Sequence, residues 1–386
     1  MMTIDQLQTK RIALLLSGGV DSSVVLAELC RLGVKPDCFY IKIGPEEDHT
    51  DWDCTAEEDL EMATAVAKRY GCPLEVVDCH RDYWSQVTRY TMDKVRQGLT
   101  PNPDVMCNRL IKFGAFHQKR GHDYDLIATG HYAQTETDSE GRKWLTTSPD
   151  PVKDQTDFLA QIHPWQLQKA IFPIGGYTKQ QVRLPAKNYH LASAARRDSQ
   201  GICFLGRISY ADYLRRYLGE QRGDVVELES GRVVGQHRGH WFHTIGQRKG
   251  MGLGGGPWFV VSKDPSANIV YVSHGYDPQT AYCQQFLVRD FNYLTDRSLP
   301  TSVTIKIRHT PDVLKATVEP LNGVDGVDRF RVTAEQPIHG VAPGQFCVVY
   351  DQHHHRCFGS GEIALTPSTL SGPPAQASDC GGRWGC

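Results

Sequence analysis

Over the first third of the chain, short unbroken apolar runs alternate with segments whose apolar residues recur every three or four positions. Residues 11–16 read as a strand buried on both faces, 20–31 as a helix and 37–43 as a second strand. Residues 57–70 predict a helix, with Thr55 as its cap and Glu58 three residues on. Residues 74–79 and 124–129 add two more strands. Strand and helix repeated in this way predict an α/β doubly wound parallel sheet, whose ligands gather at the carboxyl ends of its strands. Beyond about residue 224 the period drops to two. Segments 258–262, 269–273, 302–308, 316–319, 329–333 and 346–350 are spaced by Gly, Pro and Asp turns. These predict a small β-rich central domain and then a β-barrel. From Pro367 onward Ser, Gly, Pro and Ala dominate, as in a mobile tail. The expected divisions are residues 1–206, 207–280, 281–366 and the tail 367–386.

Composition narrows the class. With 386 residues, 40% hydrophobic and 22% charged, the chain has the balance of two or three globular domains and not of a disordered protein. No apolar run approaches the ~20 residues of a membrane span, and residues 12–16 are too few for a signal-peptide core. The net charge of −2 offers no global attraction for nucleic acid, so any such site is local. Nine acids and no Lys or Arg lie between Ile43 and Ala67, which reads as a solvated loop and helix face. From Gln181 to Gly250, twelve Lys/Arg face six Asp/Glu, interleaved with Tyr189, Tyr210, Tyr213, Tyr217, Trp241 and Phe242. That pattern fits an RNA footprint or, equally, a basic helix face around Arg215 and Arg216. The 12 cysteines are scattered without a C-x-x-C, so reduced thiols in a cytoplasmic protein are expected. Cys30, Cys38, Cys72, Cys79 and Cys347 read as small core residues.

Three segments carry chemistry. Ser17-Gly18-Gly19-Val20-Asp21-Ser22-Ser23 follows a buried strand and opens a helix. Two glycines allow a tight turn, and the helix N-terminus presents N–H groups and a positive dipole end to an anion. The G-K-[ST] ending of a Walker loop is missing. Thr129-Gly130-His131-Tyr132 ends another strand of the same sheet, where Gly130 would let adenine or ribose approach. The segment from Thr100 to Arg109 holds Asp104 one helical turn before Cys107. Arg109 and Lys112 nearby predict a lowered thiol pKa. Arg196 and Arg197 likewise precede Cys203. Two such cysteines beside a nucleotide loop suggest one sulfur carried and another attacking it.

The loop S-G-G-V-D-S resembles that of the N-type ATP pyrophosphatases. Together with N-P-D-x-x-C-N-x-x-I-K-F, D-S-x-G-I-C-F and T-I-G-Q-R-K-G-x-G (Thr244 to Gly252), it closely resembles the tRNA-specific 2-thiouridylase family from about Arg11 to Ile363. The resemblance implies an adenine nucleotide alpha hydrolase-like N-terminal domain and a central tRNA-binding domain. It implies ATP, with Mg2+, bound by Leu15, Leu16, Ser17, Gly18, Gly19, Val20, Asp21, Ser22, Ile41 and Gly130. Cys107 matches the nucleophile, Cys203 the persulfide carrier and Asp104 the acid/base. Asn102, Pro103 and Asp104 match the segment that meets the target uracil, and Lys153, Asp154, Gln155, Arg308 and His309 match tRNA contacts. The family pattern departs at Lys42-Ile43-Gly44-Pro45, at Thr156-Asp157 and at His309.

Replacing the uracil 2-oxygen by sulfur then requires adenylation to turn that oxygen into a leaving group, with a thiolate as sulfur acceptor. The expected partners are a tRNA of the Lys, Glu or Gln acceptors and a protein persulfide donor, such as a cysteine desulfurase or a sulfur-relay protein, with no membrane. An alternative is an iron–sulfur cluster ligated by Asp104, Cys107 and Cys203, with sulfide as the sulfur source.

Overall fold

A computed structural model describes residues 4–43, 56–196, 209–275, 278–295, 298–321 and 329–364. Strand β1, Ile12–Leu15, is buried along its whole length. Its alternate side chains supply two cores: Ala13 and Leu15 enter one, Ile12 and Leu14 the other. This two-faced burial explains the unbroken apolar run. Helix α1, Val20–Arg31, follows, then β2, Asp37–Lys42, helix α2, Ala56–Tyr70, and β3, Leu74–Asp78. The predicted cap Thr55 lies outside the described residues. A π-helical turn, Tyr83–Thr88, leads into α3, Arg89–Arg96. Helix α4, Pro103–Cys107, opens with Pro at its first turn and with the Asn102 side chain accepting from the Val105 N–H at 3.3 Å.

Strand β4, Leu126–Ala128, a hairpin of β5, Gln134–Thr137, and β6, Lys143–Thr146, and the short β7, Ala170–Ile171, come next. The five-stranded sheet runs β3-β2-β1-β4-β7, all parallel. Its order reverses between β1 and β4, so the crevice at their carboxyl ends is the topological switch point where open α/β sheets bind ligands. Helix α5, Lys179–Asn188, is fixed at its start by a capping box between Thr178 and Gln181.

After helix α6, Tyr210–Leu218, a four-stranded sheet forms from β8, Gly223–Glu227, β9, Val233–His237, β10, Trp258–Asp264, and β11, Ile269–His274. A barrel follows from β12, Tyr282–Tyr293, β13, Ser302–Lys306, β14, Leu314–Leu321, β15, Arg329–His339, β16, Phe346–Tyr350, and β17, Arg356–Ala364. Pairing of β12 with β17 closes it, and β6 pairs with the first residues of β17, Arg356 and Cys357. The α/β domain therefore lends a hairpin to the barrel's sheet, which the sequence pattern did not announce.

Strands β8, β9, β12 and β17 also escape the period-two reading. In β17 the run R-C-F-G-S-G reads as a turn, but its glycines sit inside the strand. A Cβ on Gly359 would fall 1.9 Å from the Asn292 carbonyl oxygen, and one on Gly361 2.5 Å from Val288. Close crossing of β12 over β17 demands those glycines.

In the basic and aromatic middle, the aromatic side chains are mostly internal while Arg215, Arg216, Arg222, Arg232, Arg238, Arg248 and Lys249 are exposed. Tyr213 and Leu214 form a core with Met92 and Val95, against which Trp84, Tyr210, Tyr217, Trp241 and Phe242 pack. Arg215 pairs with Asp212 and Glu220. Those aromatic rings pack onto α3, as the helix-face reading expects. Residues 367–386, the expected tail, lie outside the described residues.

Candidate active site

The pyrophosphate-type loop leaves β1 after its last sheet bond, Leu16 N–H to the Phe39 carbonyl at 2.9 Å. Ser22 Oγ accepts from the Ser17 N–H at 3.2 Å and lies 3.2 Å from Ser17 Oγ, closing the turn on itself. Ser23 Oγ donates to the Gly19 carbonyl at 2.7 Å and is fully buried, so it is turned back onto the first helical turn and is not a ligand donor. Gly18 has φ +78, and a Cβ there would lie 2.2 Å from the Asp59 carbonyl oxygen. Only glycine lets the loop pass so close to α2.

Gly130 packs directly on the loop. A Cβ on it would lie 3.0 Å from Ser22 N and 3.2 Å from the Asp21 carbonyl carbon. Its missing side chain admits the loop backbone. The end of β4 and the loop thus touch directly across the switch point. Ile41 stands half-buried at the carboxyl end of β2, packed against the same core as Leu15.

Asp21 is held by groups that motif reading missed. Lys179 Nζ, from the first turn of α5, donates to its two carboxylate oxygens at 2.8 and 2.9 Å, and Tyr132 Oη donates at 2.9 Å. Arg196 donates to the Gly18 carbonyl at 3.3 Å and pairs with Asp59 at 2.7 Å. Part of the acidic run is therefore structural and not merely solvated. The only signal for Lys179 in the sequence was Thr178-Lys179 at a helix start, which by itself says nothing of Asp21. Asp21 is the loop's carboxylate, so it is the group that would meet Mg2+ accompanying ATP, where the ion would offset phosphate charge.

Asp104 and Cys107 share α4, one turn apart as predicted. The barrel steadies the approach to that helix. Gln345 donates to the Thr100 carbonyl at 2.8 Å, and the Thr100 N–H donates to the Pro343 carbonyl at 2.8 Å. Cys107 is only 1% exposed, in a core with Tyr83, Val87 and Ile111. It lies past the first helical turn, outside the reach of the dipole end. Arg109 donates to Gln161 at 2.8 Å and Lys112 reaches His131 at 3.5 Å. The thiol expected to be activated by Arg109 and Lys112 is therefore buried, and those two cations reach Gln161 and His131.

Burial pushes the Cys79 thiol up to about 12, and those of Cys38 and Cys347 upward too, as expected of inert core cysteines. All eight described cysteines are free thiols. Cys203 lies outside the described residues. Among the described residues no group of three His, Cys, Asp or Glu converges to hold a metal, and Asp104 with Cys107 offers two donors of the alternative cluster's three.

Two residues expected to touch tRNA are turned inward. Asp154 is 4% exposed. It accepts from the Ser148 N–H at 2.9 Å and from Thr156 Oγ1 at 2.6 Å, with Lys306 at 3.9 Å. Burial raises its pKa, opposed by those partners. The Arg308 guanidinium donates to the Ile245 carbonyl at 2.7 Å and to the Gly340 carbonyl, joining barrel to central domain inside the T-I-G-Q-R-K-G stretch. Desolvation lowers its pKa. Gln155 Oε1 accepts from the Tyr132 N–H at 3.0 Å. His309, more exposed, pairs with Asp157 at 2.9 Å and leans on the Phe158 ring.

Comparison with known proteins agrees with this architecture. Residues 10–207 match the family model described as "tRNA methyl transferase HUP domain", residues 211–274 "tRNA methyl transferase PRC-barrel domain" and residues 283–363 "Aminomethyltransferase beta-barrel domain". The chain is 57% identical over 358 residues to tRNA-specific 2-thiouridylase MnmA 2 of Bacteroides fragilis, covering 91% of this chain and 99% of that one. It is 53% identical over 361 residues to tRNA-specific 2-thiouridylase MnmA of Porphyromonas gingivalis, covering 91% and 98%. The NMN synthetase structure from Francisella tularensis matches with a TM-score of 0.33 at 11% identity, covering 56% of this chain and 84% of that one, too loose a likeness to bear on the site. No helix among the described residues is long and apolar enough to cross a membrane. The chain belongs to the tRNA-specific 2-thiouridylase family, ATP-using enzymes that transfer sulfur to position 2 of uridine in tRNA.

Proposed function

We propose that the chain thiolates the wobble uridine of tRNA in two steps run in one crevice. The observation that carries this reading is the contact between the anion loop at β1 and the end of β4, with the Asp104–Cys107 helix reaching the same place through Lys112 and His131. In the first step the uracil 2-oxygen bonds to the α-phosphorus of ATP. The bond from that phosphorus to the bridging oxygen breaks, and pyrophosphate leaves with the electron pair. The N3 proton passes to a base, for which Asp104 is the candidate. The loop N–H groups, Ser17 and Ser22 bind the departing pyrophosphate, and Lys179 holds Asp21 in place beside it.

In the second step the terminal sulfur of a Cys203 persulfide attacks C2. Cys107 thiolate takes the inner sulfur to form a Cys107–Cys203 disulfide, AMP leaves with the former 2-oxygen, and an external thiol reductant resets the pair. A protein persulfide donor supplies Cys203, and free thiols suit a reducing cytoplasm. Asn102, Pro103, Lys153 and His309 are the candidates for direct contact with the anticodon arm of the Lys, Glu or Gln acceptors. Arg308 and Asp154 act beneath them by holding the surface in shape. Uridine extrusion from a loop costs a few kcal/mol or less.

The test is nucleoside mass spectrometry alongside pyrophosphate release. Cys203→Ser is expected to release pyrophosphate in a tRNA-dependent turnover yet form no 2-thiouridine. Normal thiouridine yield from supplied persulfide would remove the carrier role.

A further inference from the structure

The helical run from Pro103 to Lys119 changes pitch where the chemistry is densest. Helix α4 stops at Cys107, and Asn108–Ala115 is a π-helix before α-geometry resumes at Phe116. In an α-helix two residues five apart point about 140° away from each other. With i→i+5 bonding they come onto the same face. Lys112 is five residues after Cys107, so the pitch change swings its stem toward the side of the helix that carries the cysteine. π-turns of this kind are rare and concentrate at functional sites.

The ammonium of Lys112 ends 3.5 Å from His131 Nε2. His131 is 7% exposed, and burial together with the Lys112 charge holds its pKa well below the ordinary histidine range. Thr129 Oγ1 lies 2.7 Å from the other ring nitrogen. The lysine therefore meets a neutral ring, and among the described residues no carboxylate pairs with it. One residue before His131, Gly130 abuts Asp21 and Ser22 of the anion loop. Lys179, the other lysine at this crevice, is committed to Asp21. A cation left without a counter-ion, between an anion loop and a cysteine helix, calls for an anionic ligand.

We propose that Lys112 is a further catalytic residue, binding the non-bridging oxygens of the ATP α-phosphate and stabilising the charge that builds there as the uracil oxygen attacks. The π-helix is the device that aims it. The same contact then stabilises the departing AMP in the sulfur-transfer step, with no proton transfer by Lys112 in either step. This role rests on the adenylation reading above.

Wild-type enzyme, ATP and an unmodified tRNA transcript test both. Absence of tRNA-dependent pyrophosphate release from the wild type would sink the adenylation reading itself. Given that release, Lys112→Met is expected to lower its kcat about 100-fold, with KM for ATP and tRNA changed much less. Lys112→Arg should retain about a tenth of the wild-type rate, since it keeps the charge but spreads it over a larger planar group. The role of Lys112 is overturned if the Met variant stays near the wild-type rate, if only KM rises, or if Arg restores nothing. Thermal unfolding of both variants should match the wild type, and a lowered Tm in Lys112→Met that Lys112→Arg shares would assign the lysine to structure.

Discussion

The anion loop and the barrel corner at Arg308 are both dense in polar residues, yet the fold uses them in opposite ways. At the loop, side chains turn on their own segment: Ser17 to Ser22, and Ser23 to Gly19. Cations come from elsewhere, Lys179 and Arg196, to fix its shape. The helix N-terminal N–H groups stay directed at the crevice. At the corner, Arg308 is consumed by carbonyls of two other segments and His309 by Asp157 of the α/β domain. A charged motif can thus mark either a ligand site or a domain joint. The difference lies in whether its hydrogen-bonding groups are already satisfied within the chain.

Substitutions can break or sharpen that contrast, beginning with the largest effect. Lys179→Met frees Asp21 to repel phosphate, and is expected to lower tRNA-dependent pyrophosphate release by about 100-fold or more while leaving tRNA affinity intact. Unimpaired release would remove Lys179 from the site. Arg308→Ala leaves two carbonyls without their donor, and should cost about 1–3 kcal/mol in urea unfolding. If the guanidinium is a joint, the salt slope of tRNA binding should change by much less than the ~1 of a phosphate-contacting cation. A drop of a full unit with no loss of stability would return Arg308 to the surface.

Gly130→Ala should press on the loop at Ser22 and slow pyrophosphate release by about tenfold, because packed backbone gives way poorly. An unchanged rate would show that the loop yields. The last effect is nil at neutral pH. His131 has a folded pKa below its unfolded value, so the stability tied to its neutral form is complete above the usual histidine range and declines as pH falls below it. His131→Gln should lose less stability than the wild type between pH 7.5 and 5, by at most about 1.4 kcal/mol per pH unit. Parallel losses would contradict a buried neutral ring.

Much of this was legible in the residue pattern. β1 and α1 could be drawn from the chain because an apolar run followed by Gly-Gly and a three-to-four periodicity are local signals. Asp104 and Cys107 share a helix because Pro103 and Asn102 start one there. What stayed hidden were contacts between residues far apart. Lys179 is 158 positions from Asp21, Gln345 is 245 from Thr100, and the β5–β6 hairpin joins a strand more than two hundred residues later. The glycines of β17 read as turn signals because nothing local shows that β12 crosses them.

The sequence by itself determined the α/β class, the strand, turn and helix around Ser17 to Ser23, and the placing of Asp104 and Cys107 on one helix, since each rests on neighbours within a helical turn or a strand. Tertiary structure alone decided that Cys107 is buried, that Arg308 and Asp154 face inward, and that Lys112 reaches His131. Burial and partner choice depend on which distant surfaces meet, and a charged side chain moves to whichever of them leaves the fewest groups unsatisfied.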